Sequence, residues 1–279
     1  LKRKIQQIIR SVPVTDGAGV PLRRSIGIPQ LDHLDPFLLM DEIKHEDPDV
    51  SLLGFPDHPH RGFETVTYLI EGTFRHEDSK GHVGILTPGS VQWMTAGRGI
   101  IHSEMPVQSR GRFWGFQLWV NLPTSRKMIN PRYQEIDSDK IPIHKVNDQE
   151  TKIIAGEYEN HFGPVDTNIP IHYFDVKLDK DALWKTTIAP SMNAFIYVLK
   201  GSLEVEDGDK EPFIEQANLV ILSDGTEIQI KSKREASRFL FLAAEPIGES
   251  VVRAGPFVMN TMGELKKAIM DYEAGILDK

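Results

Sequence analysis

One segment of this chain occurs twice, and that limits the folds open to it. Tyr197-Val-Leu-Lys-Gly-Ser-Leu-Glu-Val-Glu-Asp207 lies without a gap over Tyr68-Leu-Ile-Glu-Gly-Thr-Phe-Arg-His-Glu-Asp78. Such self-similarity marks two copies of one structural unit. Each copy reads as a β-branched and aromatic run, a Gly turn and a second short strand. Around the first copy the rhythm continues. Phe63 to Ile70 is a strand closed by Glu71-Gly72, then Thr73 to Glu77, the turn Asp78-Ser-Lys-Gly81, and strands over Val83–Leu86, Val91–Met94 and Arg112–Leu122. Many short strands punctuated by Gly and Pro predict an all-β chain of two tandem jelly-roll β-barrels. With 279 residues there is room for two domains of ordinary size. The expected division is 1–135 for the first and 136–279 for the second. Residues 123–150, with Pro123, Pro131 and Pro142, read as the linker.

The remaining segments are read by local chemistry. Residues 1–30 form an extended arm, strand-like at Val12–Val14 and Val20–Ile28 around the turn Asp16-Gly-Ala-Gly19. Asp35-Pro36 forces an extended entry to the run ending at Met40. Asp41 to Asp49 is acidic and expected to be a loop, with His45 on its surface. A short C-terminal helix is expected over about 261–275, because Thr261 and Glu264 fit a capping box. Leu265, Ala268, Ile269 and Tyr272 would make its apolar stripe.

The ligand-like residues cluster in the first half. Phe55-Pro-Asp-His58-Pro-His60-Arg-Gly-Phe-Glu64 is answered by His102-Ser-Glu104. Residues i and i+2 of a strand share a face, so two such pairs on facing strands would gather three imidazoles and a carboxylate. That set suits a divalent transition metal. The chain contains no cysteine, which excludes thiolate ligands, disulfides and a Cys nucleophile. Glu64 competes with Glu104 for the carboxylate position, since unbroken two-residue steps would place it with His58 and His60; a break at Pro59 would remove it. In the register of the repeat, His58 falls on Thr187, His60 on Ala189 and Glu64 on Asn193, and no histidine follows His172. Metal binding is therefore expected in the first domain only. Phe55, Trp93, Met94 and Phe113 are candidates for pocket walls or core. Arg61 and Arg98 are candidates for holding an acidic group or for surface ion pairs, and His76 and His82 read as ordinary hydrogen-bonded histidines near a turn.

Three longer stretches carry a resemblance. They are Leu34-Asp-Pro-Phe-Leu-Leu-Met-Asp41, the segment Phe55 to Thr65, and Gln92-Trp-Met-Thr-Ala-Gly-Arg-Gly-Ile-Ile-His-Ser-Glu-Met-Pro106, with Gly255-Pro-Phe-Val-Met-Asn-Thr261 near the end. Together they resemble the pirin family of bicupins, in which each jelly roll is a cupin domain. The resemblance implies one metal per chain, iron(II) in the first instance, with zinc, nickel, copper or manganese as alternatives. The ligands it implies are His58, His60, His102 and Glu104, with Glu104 also the catalytic base. It implies two rival activities. One is dioxygenation of a flavonol such as quercetin, with a flat aromatic substrate and O2 as partners; the other is transcriptional co-regulation through a protein partner. A third possibility is a structural metal in a storage-like cupin. A net charge of -8 and a pI near 5.7 argue against direct nucleic-acid binding, and Lys231-Ser-Lys-Arg234 reads as a solvated strand end. No apolar run approaches a membrane span, and the basic start lacks the apolar core of a signal peptide. The expected location is cytoplasmic, and also nuclear in a eukaryote.

Overall fold

A computed structural model describes residues 1–45, 53–107, 112–205 and 213–279. Strands dominate it, and they collect into two compact units. One unit is Val12–Ser138 with Ile247–Lys279; the other is Leu1–Ser11 with Asp139–Pro246.

The first unit is a barrel of two sheets. Its strands are β2 (Val12–Asp16), β3 (Val20–Ile26), β4 (Phe37–His45), β5 (Phe55–His60), β6 (Phe63–Glu71), β7 (Phe74–Asp78), β8 (Val83–Leu86), β9 (Val91–Thr95), β10 (Ile100–Pro106), β11 (Phe113–Asn121) and β12 (Arg132–Ile136); β1 (Ile5–Arg10) precedes them and belongs to the other unit. One sheet runs β12-β9-β6-β11-β4-β3-β2 and the other β5-β10-β7-β8, with antiparallel pairing throughout. This is the jelly-roll arrangement that the Gly-punctuated strands predict. β6 and β11, at the centre of the larger sheet, carry the fully buried Phe63, Val66, Leu69, Phe116, Leu118 and Val120.

The expected loop at Asp41–Asp49 is corrected over its first part, because Asp41 to His45 continue β4. Asp41 and Glu42 are buried. Their partners explain why a strand can carry them inward. Arg24 donates to both Asp41 oxygens, at 2.8 and 2.7 Å, and Trp114 Nε1 donates to Glu42 at 2.8 Å. His45 is half-buried at the strand end rather than on an open surface, and residues 46–49 lie outside the described residues.

The second unit repeats the plan. Asn193–Lys200 sits between Asn218–Leu222 and Ser237–Ala244, as β6 sits between β9 and β11. Its core surrounds Trp184, which is fully buried and donates Nε1–H to the Thr151 hydroxyl at 3.0 Å. Thr187 closes the strand Leu183–Thr187, and Asn193 opens the next.

The two units differ from the expected cut at 135/136 in that the termini are exchanged. β1 pairs with Asn218–Leu222 at the edge of the second barrel, and Arg3, almost fully buried there, donates to the carbonyls of Gly225 and Ala189 at 2.9 and 3.1 Å. Conversely, residues 247–279 pack on the first barrel. An edge strand is taken up by whichever sheet edge offers unpaired N–H and C=O groups, and chain order does not specify that edge.

Helix α1 spans Met262–Glu273. Its capping box is formed: Glu264 N–H donates to Thr261 Oγ1 at 3.2 Å, and Thr261 N–H to Glu264 Oε2 at 2.9 Å. Leu265 and Ala268 are buried and Ile269 packs beside them, but Tyr272 faces solvent. The buried position next to it is Asp271, turned inward by Arg61 Nη1 at 2.7 Å. A charge partner overrides apolar periodicity here. No helix is long and apolar enough to cross a membrane among the described residues.

Candidate metal centre

The site is built where β5 meets β10. His58 is the cross-strand partner of His102, and His60 that of Ile100. Pro59 is tolerated because β5 is the edge of its sheet, where a missing N–H breaks no second ladder. His58, His60 and His102 each offer one ring nitrogen, all within 4.8 Å of one another. Their ring centroids are 4.5 to 5.0 Å apart. His60 and His102 are almost fully buried, and neither nitrogen of either ring has a hydrogen-bond partner. His58 Nδ1 donates to the Pro56 carbonyl at 2.7 Å, which leaves the Nε2 lone pair free.

Electrostatics keep these rings neutral. Burial lowers the pKa of all three, and the neighbouring imidazoles push His60 and His102 further, well below the ordinary histidine value. Unpartnered nitrogen atoms in the interior are costly. Three convergent neutral imidazoles with free lone pairs satisfy the donor requirements of a divalent metal, so the residues present fit such an ion.

Glu104 lies on β10 two residues after His102 and lines the same pocket as His58 and His60. It is buried, and it stands outside the 4.8 Å imidazole group. A register shift between His102 and Glu104 separates the two. The Thr67 hydroxyl donates to Glu104 Oε1 at 2.9 Å and Gln117 Nε2 approaches Oε2 at 3.4 Å. That hydroxyl has one proton and also lies 2.6 Å from Gln117 Oε1, so it serves one acceptor at a time. Burial raises the Glu104 carboxyl to about 7, against the opposing pull of Thr67.

Glu64 is elsewhere. The chain turns at Gly62, whose φ of 90° ends β5 before β6 begins in the other sheet. There Glu64 Oε1 accepts the Thr95 hydroxyl at 2.7 Å. Arg61, a candidate for holding an acidic group or for a surface ion pair, is buried between Asp271 and the carbonyls of Arg98 and Leu277; Arg98 itself is exposed. Trp93 and Met94 are fully buried and Phe113 packs in the core beside Phe74, so of the four apolar candidates Phe55 lines the pocket. Its other apolar walls are Leu39, Ile43 and Trp119, around a cavity of about 550 Å³.

Sequence reasoning passed over Thr67, Gln117 and the Arg24–Asp41 pair. All are polar residues at inward positions of strands, a pattern visible as Thr65-Val-Thr67 and Phe116-Gln-Leu118 but without a partner until strands align. Burial raises the Asp41 carboxyl to about 6, with Arg24 opposing. His82 is the hydrogen-bonded histidine expected near the turn, 2.9 Å from Glu135 Oε1, whereas His76 is a buried residue of β7 whose ring also approaches Glu135.

Comparison with known proteins agrees with this architecture. The family model for pirin matches residues 19–120, and that for the pirin C-terminal cupin domain matches 173–278. Pirin of Mus musculus is 44% identical over 272 residues, covering 97% of this chain and 92% of the relative. Pirin of Homo sapiens is 43% identical with the same coverage. A crystal structure of quercetin 2,3-dioxygenase from Acinetobacter baumannii superposes with a TM-score of 0.91 at 33% identity, over 99% of both chains. A bacterial pirin from Escherichia coli in complex with nickel(II) shares the fold, with a TM-score of 0.69 at 21% identity over 86% of this chain and 98% of that one. Two family models in tandem, relatives matched along nearly the whole chain and a pair of cupin barrels of which the first gathers three histidines place this chain in the pirin family.

Proposed function

We propose that the protein is a metal-dependent dioxygenase of the pirin type that cleaves a flavonol such as quercetin, with His58, His60, His102 and Glu104 holding iron(II). The observation that carries this reading is the set of three neutral, convergent imidazoles, two of which, His58 and His60, line a cavity of about 550 Å³ with both apolar and polar walls. Support also comes from the Acinetobacter baumannii structure that bears the name quercetin 2,3-dioxygenase. An all-nitrogen-and-oxygen donor set in a chain without cysteine suits iron(II). When bound, the metal would supply a Lewis acid that acidifies a coordinated hydroxyl.

The protein's own residues would do the rest. Leu39, Ile43, Phe55 and Trp119 would receive a flat aromatic ring system and exclude water from it. Glu104, a buried carboxylate on the pocket wall, would accept the hydroxyl proton and later return it. Thr67 would steady the ionised form by donating to Oε1. The Arg24–Asp41 pair on the pocket wall offers a polar anchor for peripheral hydroxyls.

The test is loss of quercetin absorbance by the iron-loaded protein, with and without oxygen, in wild type and in His58→Ala and His102→Ala. The expected result is oxygen-dependent turnover with release of carbon monoxide, abolished in both variants while near-ultraviolet circular dichroism is unchanged. Turnover no greater than that of free iron(II) would defeat the enzyme reading, and a metal-responsive regulator acting through a protein partner would take its place.

A further inference from the structure

Two imidazoles and a carboxylate converge a second time in the first barrel, at residues the proposed reaction does not use. His76 projects from β7, His82 stands just before β8, and Glu135 comes from β12. β8 and β12 are edge strands of the two different sheets, so the three residues meet where those edges come together. His76 Nε2 lies 2.5 Å and His82 Nε2 2.9 Å from the same oxygen, Glu135 Oε1. One ligand atom from each falls within 4.8 Å of the other two.

We propose that His76, His82 and Glu135 form a second site for a divalent metal of the zinc(II) type, separate from the pocket of His58, His60 and His102. Three observations carry this. First, His76 is 1% exposed, and neither of its ring nitrogens has a hydrogen-bond partner. Its Nε2 faces Glu135 Oε1 across 2.5 Å. A buried polar ring aimed at a carboxylate without satisfying it calls for a third party, and a dication accepts lone pairs from both.

Second, the ligands are held in place before any ion arrives. Tyr133 stacks on both rings, with centroids 5.5 Å from His76 and 4.6 Å from His82 and interplanar angles of 23° and 28°. Asp78 Oδ1 accepts the backbone N–H groups of Lys80 and His82 at 2.8 and 2.9 Å, fixing the turn that presents His82. Such supporting contacts orient metal ligands. Third, the meeting requires a glycine beneath it. Gly84 is the cross-strand partner of His76, and a Cβ there would lie 2.0 Å from His76 Nε2 and 2.5 and 2.6 Å from the Glu135 oxygens.

Two imidazole nitrogens and one carboxylate make an open site whose remaining positions water can fill, a donor set that zinc(II) accepts. The side chains of His82 and Glu135 are 44% and 34% exposed, which gives an ion a route from solvent. An ion here would tie the edge of one sheet to the edge of the other. Its affinity should fall below that of the His58, His60 and His102 site, two of whose ligands are buried, because exposed ligands retain competing hydration.

The test uses the full chain, stripped of metal and dialysed against zinc(II), with bound zinc counted in wild type, His82→Ala and Glu135→Gln. Both substitutions are at partly exposed positions, which avoids the folding risk of replacing buried His76. Wild type should hold one zinc more than either variant, and His102→Ala should keep that ion. Zinc-edge anomalous density should appear between His76, His82 and Glu135. Equal zinc counts in wild type and both variants, or an additional ion whose anomalous peak lies elsewhere, would overturn the proposal.

Discussion

Metal uptake by the histidine pocket should depend on pH through Glu104, and the size of the effect follows from its surroundings. Burial raises its carboxyl to about 7 in the metal-free protein. A protonated carboxyl cannot coordinate, so the ion must displace that proton. With a single group of that pKa, the apparent affinity should fall about tenfold, or about 1.4 kcal/mol, between about pH 8 and about pH 6. The protons released per ion should rise from about 0.1 to about 0.9 over the same interval. His60 and His102 are held well below the usual histidine value by burial, so they stay neutral across this window and add little to the slope. Calorimetry in two buffers of different protonation enthalpy measures the released proton, and chelator competition measures the affinity. Glu104→Gln should bind more weakly and lose the slope between these pH values. The same slope in Glu104→Gln, or no proton release near pH 6 in wild type, would refute the assignment of Glu104 as the titrating ligand.

Other outcomes follow from neighbouring contacts. Thr67→Val removes the hydroxyl that donates to Glu104 Oε1, so the carboxyl should hold its proton to higher pH and the whole uptake curve should move upward in the same competition assay. Arg61→Met removes the 2.7 Å bond to Asp271, which keeps Lys267 at 3.0 Å, and frees the carbonyls that Arg61 serves; urea unfolding should show a loss of about 2 kcal/mol. Gly62→Ala places a Cβ 2.0 Å from the Val258 carbonyl at a φ of 90°. It should cost about 2 kcal/mol or more in the same assay and reduce metal uptake, because the turn between β5 and β6 sets the position of His60.

The sequence alone was enough to specify the repeated barrel and the three histidines, for reasons that are local. Alternation along a strand, Gly turns and the i, i+2 spacing of His58 and His60 are short-range properties, and each copy of the repeat expresses them independently. The capping box at Thr261 and Glu264 is legible for the same reason, since both its bonds close within one helical turn. What lay beyond the sequence depends on partners far apart in the chain. Asp41 reads as a loop residue until Arg24 lies across from it. Asp271 reads as the polar side of a helix until Arg61 reaches it across 210 positions. Glu64 and Glu104 are equivalent in spacing arguments; the turn at Gly62 and the register shift after His102 put one against Thr95 and the other in the pocket. His82 and Glu135, 53 residues apart, meet because two sheet edges close on each other. Exchange of the terminal segments between the barrels has the same cause. Backbone edges and buried charges select their partners by where the folded sheets bring them, and proximity in space is not encoded in the local periodicity of the chain.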